Sequence, residues 1–286
     1  MLIITHAGCS DGSLAAYILD KCIGPCTILP CNYGPEREEL GERLPQLAEE
    51  HGHIYITDFS FKREHLLPVL DKVTVSNSLP VLDKVTVFDH HKTAQAELEG
   101  LANCHFDMDR SGCKIVWDYC AERFNMWEIF GKFFPHVKLL CFYVQDRDLW
   151  KWKLDETERV TDCLRLYGHD WDKIIADFAS GTFDRYADGV ARMKRVEIDS
   201  AKKKAFFIDL HGSSGVPCIN YTGQWVSEVL HELAKEYGLA ASWFHTGERF
   251  VYSLRSVGDI DVSVIAKHYG GGGHKNAAGF NLKEML

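Results

Sequence analysis

No run of apolar residues reaches the roughly 18 that a membrane-spanning helix requires, although hydrophobic residues make up 46% of the 286. Basic charge is not in excess either. The 41 acidic and 32 basic residues leave a net charge of −9, which argues against a protein that coats long nucleic acid through a basic face. A small phosphate ligand remains compatible, because bound cations invert the sign of a local site. No CxxC pair occurs among the ten cysteines, so a zinc ribbon or thioredoxin motif is not supported. Cys22 and Cys26 flank a Gly24-Pro25 turn at a spacing that by itself says little. The first apolar stretch, residues 2–5, breaks at His6 without a basic flank. We therefore expect no signal peptide, reduced thiols and a cytoplasmic protein. Nine of the ten cysteines read as small buried hydrophobes; Cys9 is the exception.

The length suits one large domain or two modest ones. Short apolar runs at residues 2–5, 26–31, 53–58 and 85–88 alternate with helical stretches at 13–22 and 37–50. Strand–helix alternation of this kind predicts an α/β fold with a mostly parallel sheet flanked by helices. Ligands of such sheets sit at the carboxyl ends of the strands, where His6, Asp58 and Asp89 fall. From residue 111 to about 201 the pattern is helical. Residues 186–204 are polar and end in Lys202-Lys203-Lys204, which reads as an exposed connecting helix. Strands return at 206–210 and 216–221, followed by a helix at 225–237, a hairpin at 240–255 turning at Thr246-Gly247-Glu248, and a helix at 263–269. The expected organisation is a first domain over 1–185, a helical linker over 186–204 and a smaller α/β domain over 205–286.

One repeat is perfect: residues 67–75 recur as residues 79–87. Two copies at a period of twelve do not make a solenoid. The second copy leads through Phe88 into Asp89-His90-His91, so it is expected to supply the buried strand. The first is expected to extend a helix from Arg63 to Pro68 and to expose Val73-Thr74-Val75.

Polar residues gather where strands end: His6, Asp11, Asp58, Asp89-His90-His91 and, later, Asp146. Aspartate with imidazole suits manganese, magnesium or iron. Three costly polar groups directly after an apolar strand serve no packing purpose. Near the far end, Gly270-Gly271-Gly272-Gly273-His274 exposes backbone N–H groups in the manner of a phosphate-cradling loop. Arg255, at the end of a predicted strand, is able to fork onto a phosphate.

Taken in order, His6…Asp11-Gly12, Ile56-Thr57-Asp58-Phe59, Asp89-His90-His91, the Asp146 segment, Ser253-Leu254-Arg255-Ser256 and the glycine-His274 motif resemble the DHH phosphoesterases that carry the DHH-associated C-terminal domain. The set runs from residue 6 to residue 280. The resemblance implies a two-domain enzyme with a dinuclear, usually manganese, centre that hydrolyses phosphoesters or phosphoanhydrides. It implies that Asp58 bridges the metals, that Asp11 and His90 bind one and Asp146 the other, that Asp89 orients the histidines, and that His91 touches the scissile phosphate. It further implies a substrate grip from Arg255, Gly271, Gly272, Gly273 and His274, and a water activated by two metals that attacks phosphorus in line.

The chain departs from the family pattern at Cys9-Ser10-Asp11, where many relatives have two aspartates two apart; Cys9 takes the place of the first. His6 also precedes it by three residues, where four is more usual. The site shared by His6, Cys9 and Asp146 is then weaker for manganese, favours a softer ion such as zinc, or uses one protein ligand fewer. The expected substrate is a short single-stranded oligonucleotide or small nucleotide, with no membrane partner and a homodimer left open. Trp225, Trp243 and Phe244 are candidate base-stacking residues. Polyphosphate or pyrophosphate hydrolysis and a catalytically reduced nucleotide-binding module are the alternatives.

Overall fold

The first strand, β1 (Leu2–His6), is buried on both sides. Successive side chains of a strand point to opposite faces, and here Ile3 joins one apolar cluster while Leu2 and Ile4 join another. A strand flanked in this way belongs in the middle of a helix-covered parallel sheet. In the computed structural model, which describes residues 1–70, 84–101 and 103–286, β1 pairs in parallel with β2 (Thr27–Cys31) and β3 (Ile54–Thr57). The sheet continues in parallel through β4 (Val85–Asp89) to β5 (Cys104–Phe106). Its order is β2-β1-β3-β4-β5. The direction of strand order therefore reverses between β1 and β3.

Helix Ser10–Ile23 covers one face with Leu14, Ile18 and Leu19, and Cys113, Val116, Leu140 and Cys141 from later helices join the same cluster. The opposite face packs Leu44, Leu47 and Leu66 against Ile54, Ile56, Val85 and Val87. Fully burying each such aliphatic side chain contributes about 1.5–3 kcal/mol. The charged stretch expected as one helix over 37–50 is two, Pro35–Glu42 and Leu44–His51. Pro45 lies in the first turn of the second, where a missing N–H costs nothing. Six cysteines are buried, whereas Cys22, Cys26 and Cys104 are only half-buried, short of the expectation for them.

Strand β4 starts in the second repeat copy, with Val85, Thr86 and Val87, and is buried throughout. Helix Arg63–Leu70 carries the start of the first copy, with Pro68 inside it. The expectation for Val73-Thr74-Val75 lies outside the described residues.

Two units divide the chain, Met1–Ala187 and Asp188–Leu286. Helix Thr182–Lys202 runs through the boundary. The second unit holds a mixed sheet built from β6 (Phe206–Leu210), β7 (Ser213–Asn220), β8 (Leu239–His245), β9 (Phe250–Ser256), β10 (Gly272–His274) and β11 (Ala277–Leu282), in the order β10-β11-β9-β8-β7-β6. Only the β7–β8 pair in it is parallel. Helices Val226–Tyr237 and Val262–His268 complete its two apolar clusters. Among the described residues no helix is long and apolar enough to cross a membrane.

Candidate metal centre

In open α/β sheets ligands bind beyond the carboxyl ends of strands, where strand order reverses. That point lies between β1 and β3. His6 ends β1, and three residues later Cys9 is the N-cap of helix Ser10–Ile23, with Asp11 in its first turn. Asp58 directly follows β3. Its backbone has φ +54, a left-handed conformation that aspartate tolerates better than most residues, and its N–H donates to the Phe88 carbonyl at 2.8 Å. Asp89 ends β4 and is followed at once by His90 and His91.

These side chains converge. His90 Nε2 lies 3.1 Å from Asp58 Oδ1, 3.3 Å from Asp148 Oδ2 and 3.9 Å from Asp11 Oδ2. On the other side of Asp58, Oδ2 lies 3.6 Å from His6 Nδ1. Ligand-type atoms of His6, Cys9 and Asp58 fall within 4.8 Å of one another, as do those of Asp11, His90 and Asp148, and those of Asp58, His90 and His91. Asp58 therefore stands between two groups of potential ligands. Behind them, Asp89 accepts from Ser60 Oγ at 2.5 Å and from the His90 N–H at 2.7 Å, and pairs with His91 Nδ1 at 2.6 Å. Asp11 is fixed by the N–H groups of Gly112 and Cys113 at 2.6 and 3.0 Å. Gly112 is required there: a Cβ would sit 2.8 Å from Asp58 Cβ and 2.9 Å from Asp11 Oδ2.

The electrostatics call for a cation. Burial lowers the His90 pKa, but the bond to Asp58 and the charges of Asp148 and Asp11 outweigh it and raise the pKa to about 10. His91 is likewise pushed down by burial and up by Asp89, to about 9. Burial and the Asp11 carboxylate push Asp148 up to about 7. Burial and the carboxylates of Asp58, Asp148 and Asp11 hold the Cys9 thiol well above its ordinary pKa. Two buried carboxylate oxygens, Asp58 Oδ2 and Asp148 Oδ2, have no hydrogen-bond partner. A buried acceptor left so is costly unless a cation meets it. One such oxygen lies in each group, and the donors are carboxylate, imidazole and one thiol. The residues present therefore fit a pair of divalent metal ions.

In the second unit, Arg255 sits on β9 with its guanidinium bonded to the Leu254 carbonyl and to Ser227 Oγ, both at 2.8 Å. Gly271 and Gly273 leave no room for a Cβ, because the backbone of Gly279 or Ala277 and the neighbouring Phe280 or Ala278 approach them closely. Their glycine character thus serves the close pairing of β10 with β11, a packing role that the cradle reading overlooked. Gly272 and the exposed His274 lie on β10. Trp225 is buried in an apolar cluster, and Trp243 packs against another. Trp225 is thereby withdrawn as a stacking candidate.

Residues 216–285 match the family model described as the DHHA1 domain. The chain carries a DHHA1 domain over this stretch. An uncharacterized protein of Acanthamoeba polyphaga mimivirus is 26% identical over 307 residues, a match that covers 97% of this chain; the chain spans 66% of that relative's length. The fold is shared with a DHH domain from a protein described as a member of the s1p family of ribosomal proteins (TM-score 0.60, 13% identity, 97% of this chain and 81% of the other). It is also shared with an exopolyphosphatase-related protein from Bacteroides fragilis (TM-score 0.56, 15% identity, 100% and 87%).

The cluster contains one acid that sequence reasoning misassigned. Asp146 is not among the converging side chains. Its oxygens accept from the N–H groups of Lys153 and Leu154 at 2.9 and 3.0 Å and from Thr157 Oγ1 at 2.5 Å, so it fastens the loop that follows helix Phe134–Asp148. The acid that reaches His90 and Asp11 is Asp148, two residues later. Tyr33, just past β2, was also missed. Its ring lies 5.2 Å from His6 and 6.0 Å from His91 between centroids, and it is 39% exposed. The strand-end rule that singled out His6 applies equally to the residues after β2.

Proposed function

We propose that the chain is a DHH-type, metal-dependent phosphoesterase that hydrolyses short oligonucleotides or related small nucleotides. The observation that carries the reading is the pair of ligand groups on either side of Asp58, each with a buried carboxylate oxygen that makes no hydrogen bond. In this reading His6, Cys9 and Asp58 hold one divalent ion, and Asp11, Asp58, His90 and Asp148 hold the other. When bound, two such ions supply Lewis acidity toward a phosphoryl oxygen and an activated water as nucleophile. The protein's own part is positioning. Asp89 pairs with His91 Nδ1, fixes the ring orientation and raises the ring's pKa to about 9, so that the imidazolium keeps the Nε2–H that donates to a non-bridging phosphate oxygen. Asp11 stays in place through two backbone N–H groups. Tyr33 offers a partly exposed aromatic surface beside His6 and His91, which suits a ribose or base better than an inorganic chain. Arg255 and His274 of the DHHA1 domain are the proposed contacts to the substrate's phosphate end. A reducing compartment such as the cytoplasm suits the ten free thiols.

The test is an activity panel in Mn2+ with a dinucleotide, a pentanucleotide, a cyclic dinucleotide, a bis-aryl phosphodiester and polyphosphate. Turnover of the short nucleotides that disappears in Asp58→Ala is the expected result. Turnover of polyphosphate alone would replace the nucleotide assignment with phosphoanhydride hydrolysis. No turnover of any substrate by the metal-loaded protein would refute the enzymatic reading.

A further inference from the structure

We propose that the His6–Cys9–Asp58 group is a thiolate site selective for a thiophilic divalent ion such as Zn2+, while the Asp11–His90–Asp148 group takes a harder ion such as Mn2+, so that the loaded protein carries two different metals. The proposal rests on reading these residues as a dinuclear centre and adds to it that the two halves are chemically unlike.

The asymmetry lies in the donors. Among the described residues, one ligand group at the centre contains sulfur, and it is the one with His6. Thiolate ligands select zinc-like ions, whereas carboxylate-rich sites suit manganese and magnesium. Cys9 is available for this role. It is the N-cap of helix Ser10–Ile23, yet its side chain makes no capping hydrogen bond. Serine, threonine, asparagine or aspartate at that position would stabilise the helix by about 1 kcal/mol, so the cysteine forgoes a local gain. The second, independent observation is Asp58 Oδ2. It is buried, makes no hydrogen bond, and lies 3.6 Å from His6 Nδ1 in the same group. An imidazole nitrogen, a sulfur and a carboxylate oxygen are three protein ligands of the kind that hold zinc with one position left open. Binding forms a metal–sulfur bond and releases the thiol proton to water, which a zinc-like cation achieves outright.

The test uses the full chain stripped of metal. Loading with Co2+ should produce a near-ultraviolet sulfur-to-cobalt charge-transfer band that saturates at one ion per chain while total binding reaches two. Cys9→Ser and Cys9→Asp should both lose the band, and Asp148→Asn should keep it. From an equimolar mixture of Zn2+ and Mn2+, the parent should retain one of each by mass spectrometry. Cys9→Asp should lose at least about tenfold of its preference for zinc. Two cobalt ions bound to the parent without a thiolate band, or a zinc-to-manganese partition unchanged in Cys9→Asp, would overturn the thiolate assignment and leave the dinuclear centre standing. Failure of the parent to bind any ion would overturn both. The parent's own band decides the matter if a Cys9 variant does not fold.

Discussion

Asp146 and Asp148 are two residues apart, both sit in the last turn of helix Phe134–Asp148, and they should fail in opposite ways. Asp146→Ala removes an acceptor of three hydrogen bonds, at 2.9, 3.0 and 2.5 Å, and strands the buried Thr157 hydroxyl together with two N–H groups. Hydrogen bonds to a charged group contribute about 1.5–3 kcal/mol each. The three are coupled, and two of the N–H groups can reach water, so the sum is discounted to about 3–4 kcal/mol. At roughly 2–4 °C per kcal/mol the melting temperature should fall by about 6–16 °C. Metal stoichiometry and turnover below the transition should persist. Asp148→Asn should do the reverse. Burial and the Asp11 carboxylate make ionised Asp148 costly in the metal-free protein, so the neutral amide should leave the metal-free stability at pH 8 unchanged or raised. It should also abolish hydrolysis and lose one bound ion. Thermal melts of the metal-free proteins, paired with metal counting, read both effects. If Asp146→Ala loses an ion without loss of stability while Asp148→Asn keeps two, the assignment is reversed and the reasoning fails.

Three further outcomes are expected. Gly112→Ala places a methyl 2.8 Å from Asp58 Cβ and 2.9 Å from Asp11 Oδ2; it should cost about 1–3 kcal/mol and weaken metal binding, and calorimetric titration showing parental affinity would contradict this. Arg255→Ala and His274→Ala should mainly raise KM, with loss of the Arg–phosphate contact costing about 10–150-fold in affinity; unchanged kinetics in both would remove the DHHA1 domain from substrate binding. Deleting residues 76–87 joins Val75 to Phe88, and because the two copies are identical the remaining one can supply β4; retained circular dichroism and turnover are expected, and loss of the fold would refute the redundancy.

The sheet was readable because β1, β3 and β4 are largely buried on both faces and therefore appear as mostly apolar runs. Strand β5 was not, since Cys104-His105-Phe106 is too short to show alternation. The ends of β1, β3 and β4 located His6, Asp58 and Asp89-His90-His91 for the same reason. The acid from helix Phe134–Asp148 was misassigned because residues two apart on a helix point in nearly opposite directions. Sequence shows two carboxylates flanking Arg147, and only the rotation of the helix decides which faces His90. Tyr33 follows a strand whose mostly exposed, irregular pattern gives little warning of a site. The two glycines packed against β11 look the same in sequence as a loop that binds phosphate through its backbone. Their difference lies in the pairing of β10 with β11.

The central claim is that Asp58 joins two metal positions. Equilibrium dialysis of the stripped protein against Mn2+ with Zn2+, followed by counting ions per chain, tests it most directly in the parent and in Asp58→Ala. The account predicts two ions in the parent and their joint loss or severe weakening in Asp58→Ala, because Asp58 belongs to the His6–Cys9 group and its Oδ1 lies 3.1 Å from His90 of the other. Two ions retained by a folded Asp58→Ala protein, or none bound by the parent, would contradict it.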